Sequence, residues 1–229
     1  IGKSPGRTSY EALSAMEQMP VNFQNCQKSL RDISYDSDEK EYMCDSTLYV
    51  FNFDELKDWY VANCSMNVTQ VPCSVDALWL DEEHIVFVEF KNGKIGPTEN
   101  NEIIFKVYDS LLLVLDDKID LSWCRSDFSR NISYTREHMD YILVYNAEKY
   151  DEKHPTPQTR KGVSRQEDRD AVTESARKKP QSSNSRTKIN KMIRALGNRP
   201  LVLFGVYRFN GYLFRQVYTL NQDEFQKYL

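Results

Sequence analysis

The chain has 229 residues, 40% hydrophobic and 12% aromatic, which suits one domain with its own core. With 30 Lys/Arg against 34 Asp/Glu the formal charge is −4, which excludes a uniformly basic nucleic-acid glove but not a local phosphate-binding patch. No run approaches the roughly 18 apolar residues that span a bilayer, and residues 1–20 lack an apolar signal core, so a cytoplasmic protein with no membrane partner is expected.

Residues 1–20 read as an irregular or helical lead-in, and Ile1 in place of Met reads as a trimmed start. Residues 28–47, rich in Asp, Glu, Ser and Lys, read as a solvated loop. Leu48–Phe53 is a short apolar run. From Asp54 to Cys64 the positions Leu56, Trp59, Tyr60 and Ala62 fit one helical face, with Asp54 as the cap. A short strand is expected near Val68–Val71. The period then changes, and Val71–Leu80 and Ile85–Phe90 read as strands joined by a turn at Asp81-Glu82-Glu83-His84. Lys91–Pro97 reads as a loop through Gly93 and Gly96. Asn101–Leu115 returns to helical spacing through Ile104, Val107, Tyr108, Leu111, Leu112 and Leu115. Asp140–Tyr145 has the composition of a buried strand.

Residues 150–186 mark the sharpest change in composition and read as a basic flexible insert. Between Asp151 and Arg194 there are twelve Lys/Arg and six Asp/Glu, a net of +6, a charge that can follow a nucleic-acid backbone. A helix over Thr187–Leu196 is expected next. Leu201–Phe209 and Tyr212–Leu220 flank Asn210-Gly211, the strongest short signal for a β-hairpin. Arg208 and Arg215 on that hairpin are further candidates for phosphate contact, with Tyr207, Phe209, Tyr212 and Phe214 expected in the core. The five cysteines form no Cys-x-x-Cys pair and read as free thiols rather than a zinc site. The sequons at Asn63, Asn67 and Asn131 read as chance matches.

The chemistry concentrates in Val75-Asp76-Ala77-Leu78-Trp79-Leu80 and Ile85-Val86-Phe87-Val88-Glu89-Phe90-Lys91. Strand alternation sets Ile85, Phe87, Glu89 and Lys91 on one face and Val86, Val88 and Phe90 on the other. A hairpin return brings Asp76 beside Glu89. Mg²⁺ (or Mn²⁺) prefers such oxygen ligands, so Asp76 and Glu89 are the expected metal ligands, with the Phe90 carbonyl as a third. Lys91 is placed to orient a water or to stabilise charge developing on a phosphate.

The acid-x-Lys pattern itself is common. Asp38-Glu39-Lys40, Glu55-Leu56-Lys57, Asp116-Asp117-Lys118 and Asp151-Glu152-Lys153 also satisfy it. Only Glu89-Phe90-Lys91 ends an apolar strand that follows another strand with an embedded acid, where a charge is rarely placed without a purpose or a partner. No Ser-His-Asp or Cys-His arrangement is recognisable, and no glycine-rich phosphate loop exists.

Asp76…Glu89-Phe90-Lys91 followed by a helix resembles the PD-(D/E)xK nuclease superfamily. Val88–Lys94 with Lys106–Leu112 behind it is similar to uncharacterised bacterial proteins carrying such a core. Residue 75 is Val where the motif's name has proline. The resemblance implies an α/β (α+β), restriction-endonuclease-like mixed β-sheet flanked by helices. The core would span about 48–146, and the expected C-terminal helix and hairpin about 187–229, in a single domain. It implies a helix, three strands, a helix and a strand over residues 54–145. It also implies an acid from the first core helix, for which Glu55 is the candidate, and a polar group from the helix after the site, for which Lys106 is.

The implied activity is metal-dependent hydrolysis of phosphodiester bonds in DNA, with RNA second. The alternatives are an inactive member of the fold that binds nucleic acid or a protein partner, and a nuclease toxin or phage-defence effector. A homodimer or a partner subunit is compatible with each.

Overall fold

A computed structural model describes residues 19–64, 68–80, 84–93, 95–153 and 202–229. In chain order it contains helix α1 (Val21–Asn25), strand β1 (Gln27–Ser29), helix α2 (Leu30–Ile33), and short strands β2 (Tyr35–Asp36) and β3 (Glu41–Tyr42). Strand β4 (Tyr49–Asn52), helix α3 (Phe53–Ala62), strands β5 (Ala77–Leu80) and β6 (Ile85–Lys91) and helix α4 (Pro97–Leu115) follow. Helix α5 (Ile132–His138), strand β7 (Met139–Tyr145), helix α6 (Ala147–Lys153), a 3₁₀ turn (Val206–Phe209), strand β8 (Gln216–Asn221) and helix α7 (Gln222–Tyr228) complete it. The described residues fall in one unit, Ile1–Lys153 with Val202–Leu229; His154–Leu201 is a second unit and lies outside them.

The β-branched and aromatic run from Ile85 builds the centre of the fold. Strands β1, β4, β5, β6, β7 and β8 form one sheet in that order. Pairing is antiparallel from β1 to β6 and parallel from β6 through β7 to β8. The fold is thus α+β, a mixed sheet with helices on both faces. Parallel pairing at β6–β7 requires a long crossover, which α4 and α5 supply. Both faces of β6 and β7 are covered, which is why these strands read as near-continuous apolar runs.

Alternation divides the core as the sequence suggests. Ile85, Phe87, Tyr141 and Leu143 pack with Phe53 and Leu56 of α3 and Ile103, Val107, Leu111 and Val114 of α4. Val86, Val88, Phe90, Ile142 and Val144 pack on the other side with Leu30 of α2 and Phe225 of α7.

Helix ends follow local chemistry. Asn52, not Asp54, caps α3, because its side chain accepts from the Glu55 amide at 3.1 Å. Pro97 opens α4, and the Glu99 carboxylate reaches back to the Gly96 amide at 2.9 Å. Asn221 and Glu224 cap α7 reciprocally, each bond 2.9 Å.

Several expectations fail. Residues 28–47 are not a solvated loop: they contain β1, α2, β2 and β3, and Leu30 is fully buried. No strand forms at 68–71, and β5 starts only at Ala77. The third antiparallel strand of the core is β4, which precedes α3 rather than following it. Helices α5 and α6 were not anticipated.

The C-terminal hairpin is also absent. Asn210-Gly211 makes a turn, with Gly211 at φ 68°, but the residues before it coil into the 3₁₀ turn. The strand after it pairs in parallel with β7 instead. Tertiary pairing to an open strand edge outweighs the local Asn-Gly preference here. Arg215 is held by Asp140, and Tyr207 and Tyr212 are exposed while Phe209 and Phe214 are fully buried. The expected turn at 81–83, the expected helix at 187–196 and nearly all of the basic 150–186 segment lie outside the described residues. Among the described residues, no helix is long and apolar enough to cross a membrane.

Candidate active site

Strand register brings the two acids together. Ala77 pairs with Val88 in the β5–β6 ladder, so Asp76 stands opposite Glu89 at the end of the hairpin. Both lie on the face covered by α3 and α4. The Phe90 amide donates to Asp76 Oδ2 at 2.6 Å, which fixes that carboxylate against the edge of β6. The approach to Asp76 is anchored from α4. Ser110 Oγ accepts from the Val75 amide at 2.8 Å, and Asp109 Oδ2 accepts from the Cys73 amide at 2.8 Å. Two adjacent helical residues thus set the position of the strand entry.

Five ionisable side chains meet there. Lys106, one turn before Ser110 on α4, extends down toward the sheet. Its Nζ lies 3.1 Å from Asp76 Oδ1 and 2.8 Å from Glu89 Oε1, and it hydrogen-bonds Glu89 Oε2 at 3.1 Å. Lys91 Nζ lies 3.4 Å from Glu89 Oε1 and 3.1 Å from Glu102 Oε1. The charges therefore alternate along a line: Glu102, Lys91, Glu89, Lys106, Asp76. Glu89 is fully buried, and its Oε1 accepts no hydrogen bond among the described residues although both ammonium groups are near it.

The electrostatics follow from this crowding. Burial, then the charge of Asp76, pushes the Glu89 carboxyl up to about 8, with Lys106 and Lys91 offsetting part of the rise. Burial raises the Asp76 carboxyl as well, against Lys106 and the Phe90 amide. Burial alone would lower Lys106, but Asp76 and Glu89 outweigh it and hold the ammonium charged.

Asp76, Glu89, Lys91 and Lys106 are thus brought together as the sequence suggests. Glu55 is not: it takes Lys28 as its ion partner. The acid of α3 whose charge reaches Asp76 is Asp54, which also accepts from Ser74 Oγ. Tyr108 stacks edge-to-face on Phe209.

Two contributors were not anticipated. Ser110 lies on the buried stripe of α4 with Ile103, Val107 and Val114, and a hydroxyl on an apolar stripe was the signal available. Tyr141 is fully buried on β7, on the Glu89 face, and its hydroxyl has no hydrogen-bond partner among the described residues. Burial and the charges of Glu89 and Asp76 raise its pKa, so the hydroxyl is neutral.

The donor set suits a hard cation in part. Two adjacent carboxylates, Glu89 fully buried and Asp76 half-buried, with a Glu89 oxygen that accepts no hydrogen bond among the described residues, match the oxygen preference of Mg²⁺. No group of three or more His, Cys, Asp or Glu side chains placed to hold a metal occurs among the described residues, so backbone or water oxygens must complete any shell. Lys91 also lines a cleft of about 560 Å³ with Asp36, Glu39, Asn92, Glu99 and Lys149. No family model, curated protein or solved structure matches this chain.

Proposed function

We propose that this chain is a metal-dependent nuclease, built on a restriction-endonuclease-like core, that hydrolyses phosphodiester bonds of DNA, with RNA as the alternative substrate. The observation that carries the reading is the register that sets Asp76 beside Glu89, with Lys91 on the same face. Asp76 and Glu89 would hold Mg²⁺ or Mn²⁺, with the Phe90 carbonyl as a third ligand. The bound ion supplies Lewis-acid polarisation of a phosphate oxygen.

The chain's own groups do the rest. Lys91, only 18% exposed and tethered between Glu89 and Glu102, presents a fixed ammonium to a phosphate oxygen or an attacking water. Ser110 and Asp109 tie the backbone just before Asp76 to α4. The free thiols favour a reducing cytoplasm as the place of action.

The test uses plasmid DNA and RNA with Mg²⁺, Mn²⁺ or chelator, repeated with Glu89→Ala and Lys91→Ala. Metal-dependent cleavage that both substitutions abolish is expected. Cleavage unchanged by either substitution sinks the site.

A second reading is favoured by one observation. Lys106 already sits in contact with both carboxylates, as it would in an inactive member of the fold that binds nucleic acid or a protein. Absence of cleavage, with no metal binding in calorimetry, supports that reading.

A further inference from the structure

Lys106, a candidate from the sequence, takes up a position between the two acids that helical spacing does not by itself require. A lysine on the exposed side of a helix pairs with acids three or four residues away, and Glu102 is available at that spacing. Glu102 instead takes Lys91, and Lys106 turns inward between Asp76 and Glu89. A divalent ion bridging those carboxylates needs the same gap and the same oxygens. Two positive charges cannot share it at contact distance without a large repulsion in a poorly solvated site.

We propose that Lys106 is a tethered cation that keeps the Asp76–Glu89 gap filled in the metal-free protein and yields it to an entering divalent ion. The inference rests on the metal-site reading above. It adds that metal affinity is set by competition with an ammonium of this chain. Lys106 is therefore a positioning residue: it holds the carboxylates in register before the ion arrives. It then becomes free to pair with an anionic oxygen, such as one of the substrate phosphate.

The physical case has three parts. The contacts are short on both sides, 3.1 Å to Asp76 and 2.8 Å to Glu89. The side chain is only 16% exposed, so the ammonium is not there for want of another place in solvent. Glu89, fully buried beside a second carboxylate, has Lys106 as its nearer cation, with Lys91 farther off at 3.4 Å. Lysine suits the exchange, since its ammonium is a point charge on a flexible stem and does not lock a carboxylate in two bonds as arginine does.

The test is Mg²⁺ and Mn²⁺ binding by calorimetry to the full chain, compared among wild type, Lys106→Met and Lys106→Arg. Interactions that bias binding elsewhere in a protein typically change affinity by about 5–150-fold. Lys106→Met should therefore bind the ion about tenfold more tightly, and Lys106→Arg no more tightly than wild type. A merely structural lysine predicts lower folding stability in Lys106→Met with unchanged affinity, and that outcome overturns the proposal while leaving the metal site standing.

Binding by neither wild type nor Lys106→Met removes the metal-site reading itself, and this inference with it. Should Lys106→Met fail to fold, the wild-type chain with nitrogen-labelled lysine decides. Saturating Mg²⁺ should shift the Lys106 ammonium signal and speed its proton exchange. An unmoved signal at saturation overturns the proposal.

Discussion

The two faces of the central strands each bury one acid, and the two acids are held in opposite ways. On the α7 face, Asp140 is matched by a single Arg215: Nε donates at 3.0 Å, a second guanidinium nitrogen grips the other oxygen, and the Gln216 amide adds a bond at 3.1 Å. Both oxygens have a donor, and Arg215 is held charged by the pairing despite partial burial. On the α4 face, Glu89 is crowded by a second carboxylate and two lysines, and one of its oxygens lacks a hydrogen bond. A saturated bidentate pair between adjacent parallel strands braces the sheet. A like-charge pair whose protonation is pushed toward neutral pH is the arrangement found where chemistry is done.

That contrast can be broken by experiment. The largest effect is expected on activity: Glu89→Ala and Lys91→Ala should each lower phosphodiester cleavage by about 10²–10³-fold. Asp140→Ala should leave the Asp76–Glu89 geometry intact, so equal losses from Asp140→Ala would erase the distinction between the faces.

On stability the order reverses. Asp140→Ala leaves Arg215 half-buried without its partner and should cost about 3 kcal/mol in denaturant unfolding, the low end for a broken buried pair because Arg215 is 35% exposed.

The pH dependence comes next. Glu89 titrates near its ordinary 4.5 when unfolded and at about 8 when folded. Between those values the folded chain holds a proton that the unfolded chain has released. Stability therefore falls as pH rises through that window, by roughly 1.4 kcal/mol per pH unit at most, and levels off above it. Glu89→Gln should flatten this slope and raise the stability of the metal-free protein at pH 8. A wild-type unfolding midpoint that rises from pH 5 to 8 would contradict this account of Glu89.

The smallest effect tests the anchor of the strand entry. Ser110→Ala removes the acceptor of the buried Val75 amide and should cost about 1 kcal/mol. Weaker metal binding is expected as well, because Asp76 is the next residue. Metal affinity unchanged in Ser110→Ala would show that Asp76 is positioned by β6 alone.

Much of the site was legible because it depends on short-range periodicity. Alternation along Ile85–Lys91 puts Glu89 and Lys91 on one side whatever the rest of the chain does, and a hairpin from Asp76 has little choice of return. Glu55 and Asp54 both lie in the first turn of α3, and the sequence does not show that Asp54 is the one whose charge reaches Asp76. Which of them faces the site depends on how α3 packs on the sheet. One residue of phase rotates a helical side chain by about a hundred degrees. Tyr141 carried no mark beyond its place in an apolar strand.

Residues 54–145 alone could not reveal their partners either. Strands β1 and β4 lie before the helix, with β1 at one edge of the sheet, and the other edge is closed by β8 from the far end of the chain. The Asn-Gly turn at 210–211 formed, yet the strands flanking it did not pair with each other, because the open edge of β7 offered β8 a continuous register from Asp140 to Tyr145.

By itself, then, the sequence determined the two-faced pattern of β6, the shared side of Glu89 and Lys91, and the long amphipathic helix behind them. These follow from repeats of two and of 3.6 residues, which the chain carries locally. Only the tertiary structure decided that Lys106 would leave its helical neighbours for the gap between Asp76 and Glu89. It alone decided that Ser110 would hold Val75, and that Asp140 would be saturated while Glu89 was not. Each of these depends on which elements meet across the sheet, and a buried charge goes to the nearest compensating group in space rather than in sequence.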